Sequence, residues 1–196
     1  MESWPPKWLT PVPEDALTSS YGLRASDFID TFATVTKDSV GGRAGEPMRL
    51  RPWQRNLLTH AFAADGDGFR SRVNLVGVPR KNGKSALASG VALWSLLTGP
   101  KGGEVYSCAA DKDQARIVFG EAKRMLENEP ELAELAKIYR DAVEIPSTGS
   151  VYRVLSAEAF TKEGLSPTMV IFDELHAQPT RELFDVMQLA QGARGN

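Results

Sequence analysis

The sequence predicts an α/β domain with a mostly parallel central sheet flanked by helices, preceded by an N-terminal arm and helix. Three observations carry that expectation. Short apolar runs alternate with amphipathic stretches of helical length from residue 73 onward. A Gly83-Lys84-Ser85 triplet falls where one such run meets a long apolar helix. A second apolar run, Met169 to Phe172, ends in two acids, Asp173 and Glu174.

The elements follow in order. Residues 1–20 carry four prolines and two tryptophans, which predicts an extended arm with Trp4 and Trp8 as packing anchors. Phe28, Ile29 and Phe32 at helical spacing predict a short helix over residues 26–36. The glycine-rich stretch 37–47 is a connection. Pro52, suited to a first helical turn, opens a helix that runs to about Ala64. A loop over residues 64–71 precedes the run VNLVGV (73–78), predicted as a strand, and a helix from Gly83 to about Thr98. A strand at residues 104–110, a helix at 111–127, strands at 142–146, 151–156 and 168–173, and a helix at 180–193 complete the chain. STGS (147–150) reads as the turn of a hairpin. The domain division expected is an arm and lid-like helix over 1–45 and a core over 46–196.

Composition narrows the function classes. The chain has 196 residues, 42% hydrophobic and 24% charged, enough for a sizeable core. A net charge of −2 advertises no polyanion partner globally, so any nucleic-acid contact must come from a local patch. One cysteine, Cys108, gives neither a disulfide framework nor a metal cluster and reads as a small buried residue. No apolar run is long enough to span a membrane, and MESWPPKWLTPVPEDAL lacks the basic start and apolar centre of a signal peptide. The expectation is a cytoplasmic protein without a membrane partner.

The chemistry lies in the motifs. Backbone N–H groups curling around phosphate oxygens at a helix N-terminus make a P-loop, with a lysine on the outer phosphates and a hydroxyl helping to hold Mg²⁺. VGVPRKNGKS departs from G-x-x-x-x-G-K-[ST], because Val78 stands where the first glycine belongs. Pro79, Arg80, Lys81, Asn82, Gly83, Lys84 and Ser85 are the expected phosphate-binding residues. The run ending in Asp173-Glu174 has the form of a Walker B strand. Asp173 is expected to hold Mg²⁺ together with Ser85, and Glu174 to activate the water that attacks the γ-phosphate. Gln54 in RPWQRNLL can pair with the adenine N6 and N7, with Trp53 or Arg51 beside the base. His176 completes a DELH string, and it either ends the strand region or senses the neighbouring site. ATP and Mg²⁺ are the expected cofactors, on a P-loop NTPase fold of the ASCE or RecA-like kind.

Taken together, RPWQRNLL, PRKNGKSALA, VYSCAADKDQARIVFGEA and GLSPTMVIFDELHA resemble the ATPase domain of the large terminase subunit of tailed bacteriophages, over about residues 46–178. P-loops of that family commonly lack the first glycine and carry basic residues inside the loop, so the resemblance makes Arg80 an extra phosphate contact in cis. It implies an ATPase that drives double-stranded DNA into a prohead in the host cytoplasm, with a portal, a small terminase subunit and other copies of itself in a ring as partners. It also implies a basic residue shortly before the Walker B strand that acts on a neighbouring subunit's ATP. AFTKEGLSP offers Lys162 there, without the planar fork of an arginine. The family's coupling motif and nuclease domain find no counterpart before Asn196, so no DNA cleavage is expected of this stretch. A DExH-type helicase fragment shares Gln54, the loop and DELH but needs a second lobe. A module that holds ATP without hydrolysing it has no need of Glu174.

Overall fold

In a computed structural model of the protein, residues 6–39, 42–156 and 164–191 are described. The arm is not wholly extended. It contains a short helix, α1 (Glu14–Thr18), and Trp8 is 82% exposed with the Lys7 ammonium over its ring, so it anchors no packing. Trp4 lies outside the described residues.

Helix α2 (Tyr21–Phe32) starts earlier than its apolar spacing predicts. The Ser20 hydroxyl oxygen accepts a hydrogen bond from the Gly22 N–H and donates to the Thr59 carbonyl, so one side chain both caps α2 and ties it to its neighbour. That neighbour is α3 (Pro52–Ala61), with proline in its first turn as expected. The two helices meet at Gly22, where a Cβ would lie 2.1 Å from the Leu58 carbonyl oxygen. Since the obstacle is backbone, Gly22→Ala must push the helices apart. It is expected to lower stability by about 1–3 kcal/mol, seen as a lower urea midpoint at an unchanged slope; an unchanged midpoint would mean that the helices separate freely.

A two-residue hairpin, β1 (Ala64–Asp65) with β2 (Gly68–Phe69), occupies the predicted loop. The predicted strand 73–78 does not form. Among the described residues its backbone takes part in no backbone–backbone hydrogen bond, and Leu75 is 85% exposed. An apolar run becomes a strand only where a neighbouring strand offers its N–H and C=O groups, and none lies alongside this one among the described residues.

Helix α4 (Lys84–Thr98) begins directly after Gly83, whose φ of 74° only glycine adopts without strain. Next come β3 (Glu104–Ala109) and α5 (Lys112–Asn128), the latter capped by the Asp111 carboxylate accepting from the Gln114 N–H. A four-residue helix, α6 (Pro130–Ala133), and a two-residue strand, β4 (Lys137–Ile138), were not apparent from the sequence pattern. Strands β5 (Ala142–Ile145) and β6 (Ser150–Ser156) form the hairpin expected at STGS. Strand β7 (Met169–Phe172) and helix α7 (Glu182–Gln191) complete the order.

The five-stranded sheet runs β4-β5-β6-β3-β7. Its centre is parallel, β6 and β7 flanking β3, while β4 and β5 add an antiparallel edge. Alternation along β3 divides the interior. Val105 and Ala109 join the larger core built with α2, α3, α4 and α5, whereas Tyr106 and Cys108 face the smaller core with Leu183 and Met187 of α7. Cys108 is buried as expected, and burial pushes its thiol well above the usual range. Because β3 and β7 run parallel, β7 delivers Asp173 and Glu174 to the same edge of the sheet from which the chain leaves β3 for α5.

Candidate active site

Two segments separated by almost ninety positions converge at that edge. The Lys84 ammonium, in the first turn of α4, lies 2.9 Å from Asp173 Oδ1 and 2.5 Å from Glu174 Oε1. Asp173 is buried, and its Oδ1 also accepts from the Glu174 backbone N–H at 3.1 Å. Partial burial works against the Lys84 charge, but hydrogen bonds to Glu174 and Asp173 outweigh it and hold the ammonium above its ordinary pKa. Glu174 is displaced the other way. Its hydrogen bond and charge attraction to Lys84 keep the carboxyl below the usual range, with smaller help from His176 and Arg80.

Backbone geometry marks the same place. Lys81, with φ 64°, and Glu174, with φ 49°, are the two non-glycine residues in the left-handed region among the described residues. Such conformations cost about 1–3 kcal/mol each and gather at functional sites. The sequence pattern marks both residues as site candidates but not their left-handed backbone, since neither residue type favours that region.

The loop 79–83 is exposed apart from Asn82 and has one internal brace. The Asn82 amide donates to the Pro79 and Arg80 carbonyls at 3.2 and 3.3 Å, so this side chain shapes the loop. Arg80 and Lys81 are exposed. Gly83 caps α4 without a side-chain partner, which leaves the first-turn N–H groups available to an anion. Ser85, half-buried, follows Lys84 in that turn.

Gln54 is drawn to this loop from α3. It is buried, its Oε1 accepts from the Arg51 N–H at 2.8 Å, and its Nε2 lies 3.6 Å from where a Gly83 Cβ would stand. Oε1 keeps a second lone pair and Nε2 has no partner among the described hydrogen bonds, so the amide retains a donor and an acceptor. Trp53 is half-buried at the start of α3, and Arg51 is exposed. His176 sits in a short 3₁₀ turn, Leu175–Ala177, with Nδ1 3.4 Å from Glu174 Oε2. Lys162 lies outside the described residues.

The donor set can be tested against a cation. Among the described residues, no three His, Cys, Asp or Glu side chains are arranged to hold a metal ion by themselves. Mg²⁺ takes one or two protein oxygens and fills its octahedron with water and substrate phosphates, so one carboxylate and one hydroxyl are a chemically sufficient protein set. The Asp173 carboxylate and the Ser85 hydroxyl are the groups that would hold the ion.

Residues 52–196 match the family model of the terminase large subunit, ATPase domain. The chain is 33% identical over 183 residues to the terminase large subunit of Enterobacteria phage HK97, a match covering 89% of this chain and 35% of that protein. It is 28% identical to the terminase large subunit of Lactococcus phage p2, over 67% of this chain and 26% of the relative. The crystal structure of the HK97 bacteriophage large terminase superposes with a TM-score of 0.76 at 30% identity, over 89% of this chain and 36% of that one. A Thermus phage large terminase ATPase domain, 23% identical, matches with a TM-score of 0.53 over 64% of this chain and 58% of its own, a likeness of fold. The chain thus spans about a third of the length of the HK97 protein.

Proposed function

The chain belongs to the family of terminase large-subunit ATPase domains, and from that membership we propose that it binds and hydrolyses ATP with Mg²⁺ to drive double-stranded DNA into a prohead. The observation that carries the reading is the Lys84–Asp173–Glu174 cluster at the N-terminus of α4. A lysine held by two carboxylates at a helix start is poised to exchange them for phosphate oxygens.

In the proposed reaction the α4 N–H groups and Lys84 hold the β- and γ-phosphates. Arg80 adds positive charge from the loop. Ser85 and Asp173 would hold Mg²⁺, which would supply positive charge against the phosphate oxygens. Gln54 pairs with the adenine edge, and Trp53 packs beside the base. Glu174 accepts a proton from water as the water oxygen bonds to the γ-phosphorus. The bond from phosphorus to the bridging oxygen breaks, and its electrons leave with ADP. The proposed partners are DNA, a portal, a small subunit and further copies in a ring, in the cytoplasm of a phage host. Lys162 is the proposed cation acting across the ring on a neighbour's ATP. The proposed division into units is an arm with a lid-like helix over 1–45 and the ATPase core beyond it.

Measured phosphate release by the purified chain, with and without duplex DNA, tests the reading. Turnover that depends on Mg²⁺ supports it, and binding of ATP without any release would favour a non-hydrolysing module. The basic loop residues are expected to differ. Family resemblance puts Arg80 beside the phosphates, so Arg80→Ala should reduce turnover by about 10²-fold, the order seen when one preorganised donor is lost. Lys81→Ala should cost far less. Equal and negligible losses at both positions would make Arg80 a solvated loop charge.

A further inference from the structure

Glu174 is gripped from two sides. Its Oε1 lies on the Lys84 ammonium, and its Oε2 faces Nδ1 of His176. The charged or titratable groups around it are Lys84 on α4, Arg80 in the loop before it, Asp173 next in the chain and His176 in the following turn. Of the two side chains paired with Glu174, Lys84 is the one that phosphate oxygens must claim when nucleotide arrives. His176 has no such competing duty. It is 79% exposed at its side chain and adds nothing to either core, and among the described residues its polar contact is Glu174, 3.4 Å away. The turn that presents it is closed by the Ala177 N–H donating to the Glu174 carbonyl at 2.8 Å. The left-handed backbone at Glu174 leads directly into that turn, so a strained residue is spent where the imidazole meets the carboxylate.

Resting on the catalytic reading of Glu174 above, we propose that His176 is a positioning residue that keeps the Glu174 carboxylate oriented once nucleotide has drawn Lys84 away. The carboxylate has its hydrogen bond at Oε1 and the imidazole within 3.4 Å of Oε2. When Oε1 is released to accept a proton from water, Oε2 on His176 becomes the contact that stops the side chain turning out of line. A base misplaced by about 1 Å can cost about 10²-fold in rate, so a partial loss of orientation is a kcat effect. It is not a binding effect, because His176 is not placed among the groups that receive the phosphates.

The test compares wild type, His176→Ala, His176→Asn, Glu174→Gln and the double variant His176→Ala/Glu174→Gln. Single-turnover hydrolysis and the affinity for a fluorescent ADP are measured on each. His176→Ala is expected to lower the rate about ten-fold with nucleotide affinity unchanged. His176→Asn, which keeps an N–H near the Nδ1 position, should recover most of the rate. In the Glu174→Gln background the alanine should add no further loss, since the group it orients has gone. A full rate in His176→Ala beside a dead Glu174→Gln overturns the role of His176 alone. A full rate in Glu174→Gln overturns the catalytic reading beneath it. A readout independent of turnover is the imidazole resonance of His176 with ADP bound. It should move on Glu174→Gln, and an unchanged resonance overturns the proposal even in a protein that hydrolyses nothing.

Discussion

Lys84→Ala is expected to abolish ATP hydrolysis and to weaken nucleotide binding by at least about ten-fold. Two physical effects act together. The ammonium is the side-chain cation at the start of α4, and charge-assisted hydrogen bonds to phosphate contribute about 1.5–3 kcal/mol each, or roughly 10–150-fold in affinity. Phosphoryl transfer gives a protein little covalent chemistry to do, so its catalysis is mostly positioning and charge, and losing the cation should cost about 10³-fold or more in rate. The second effect is specific to this geometry. Asp173 and Glu174 both lean on Lys84, and without it two adjacent carboxylates face one another near the incoming phosphates. Repulsion then adds to the lost attraction. Phosphate release and a titration with fluorescent ADP measure both consequences. Wild-type turnover in this variant would remove Lys84, and with it the P-loop assignment, from the mechanism.

The parts of this site that were legible in the sequence are those whose chemistry tolerates few residue types. Phosphate recognition at a helix start needs glycine, lysine and a hydroxyl in succession, so Gly83-Lys84-Ser85 could be read despite Val78 in place of the first glycine. An apolar run ending in Asp173-Glu174 carried the second half, and the structure brings the two within hydrogen-bonding distance. What escaped depends on neighbours that a linear pattern does not contain. VNLVGV has the composition of a strand, yet among the described residues no strand offers it a ladder, and it stays irregular and largely exposed. The start of α2 was obscured by Gly22, a poor helix former whose presence is explained by the α3 backbone lying against it. The sequence pattern marks Trp8 as an anchor, but it lies 82% exposed, since a large apolar side chain packs only where the fold supplies a cavity for it. The left-handed backbones at Lys81 and Glu174 run against the preferences of their own side chains, so only the folded loop and the turn after β7 reveal them. His176 was noticed as a letter in DELH, while its contact with Glu174 Oε2 comes from the 3₁₀ turn.

Glu174→Gln should separate binding from chemistry more cleanly than any other single change. The amide keeps the size of the side chain and can still reach His176, but it cannot take a proton from water. General-base catalysis contributes about 10²–10⁴-fold, and turnover should fall by that order while ATP and Mg²⁺ still bind through Lys84, Ser85 and Asp173. The same substitution has a second effect that the ion cluster makes predictable. In the nucleotide-free protein the Glu174 carboxylate competes with phosphate for Lys84, and the attraction is mutual: it raises the lysine pKa and lowers that of the glutamate. Removing the glutamate charge leaves Lys84 with Asp173 alone and so makes it a better phosphate ligand. Because the pair is partly exposed to solvent, the gain should be modest, about two- to five-fold tighter binding of ADP measured without divalent metal. Hydrolysis and affinity therefore move in opposite directions in one variant. A fall in both would instead make Glu174 a structural or metal-holding residue, and an unchanged affinity would mean that its hold on Lys84 does not compete with phosphate.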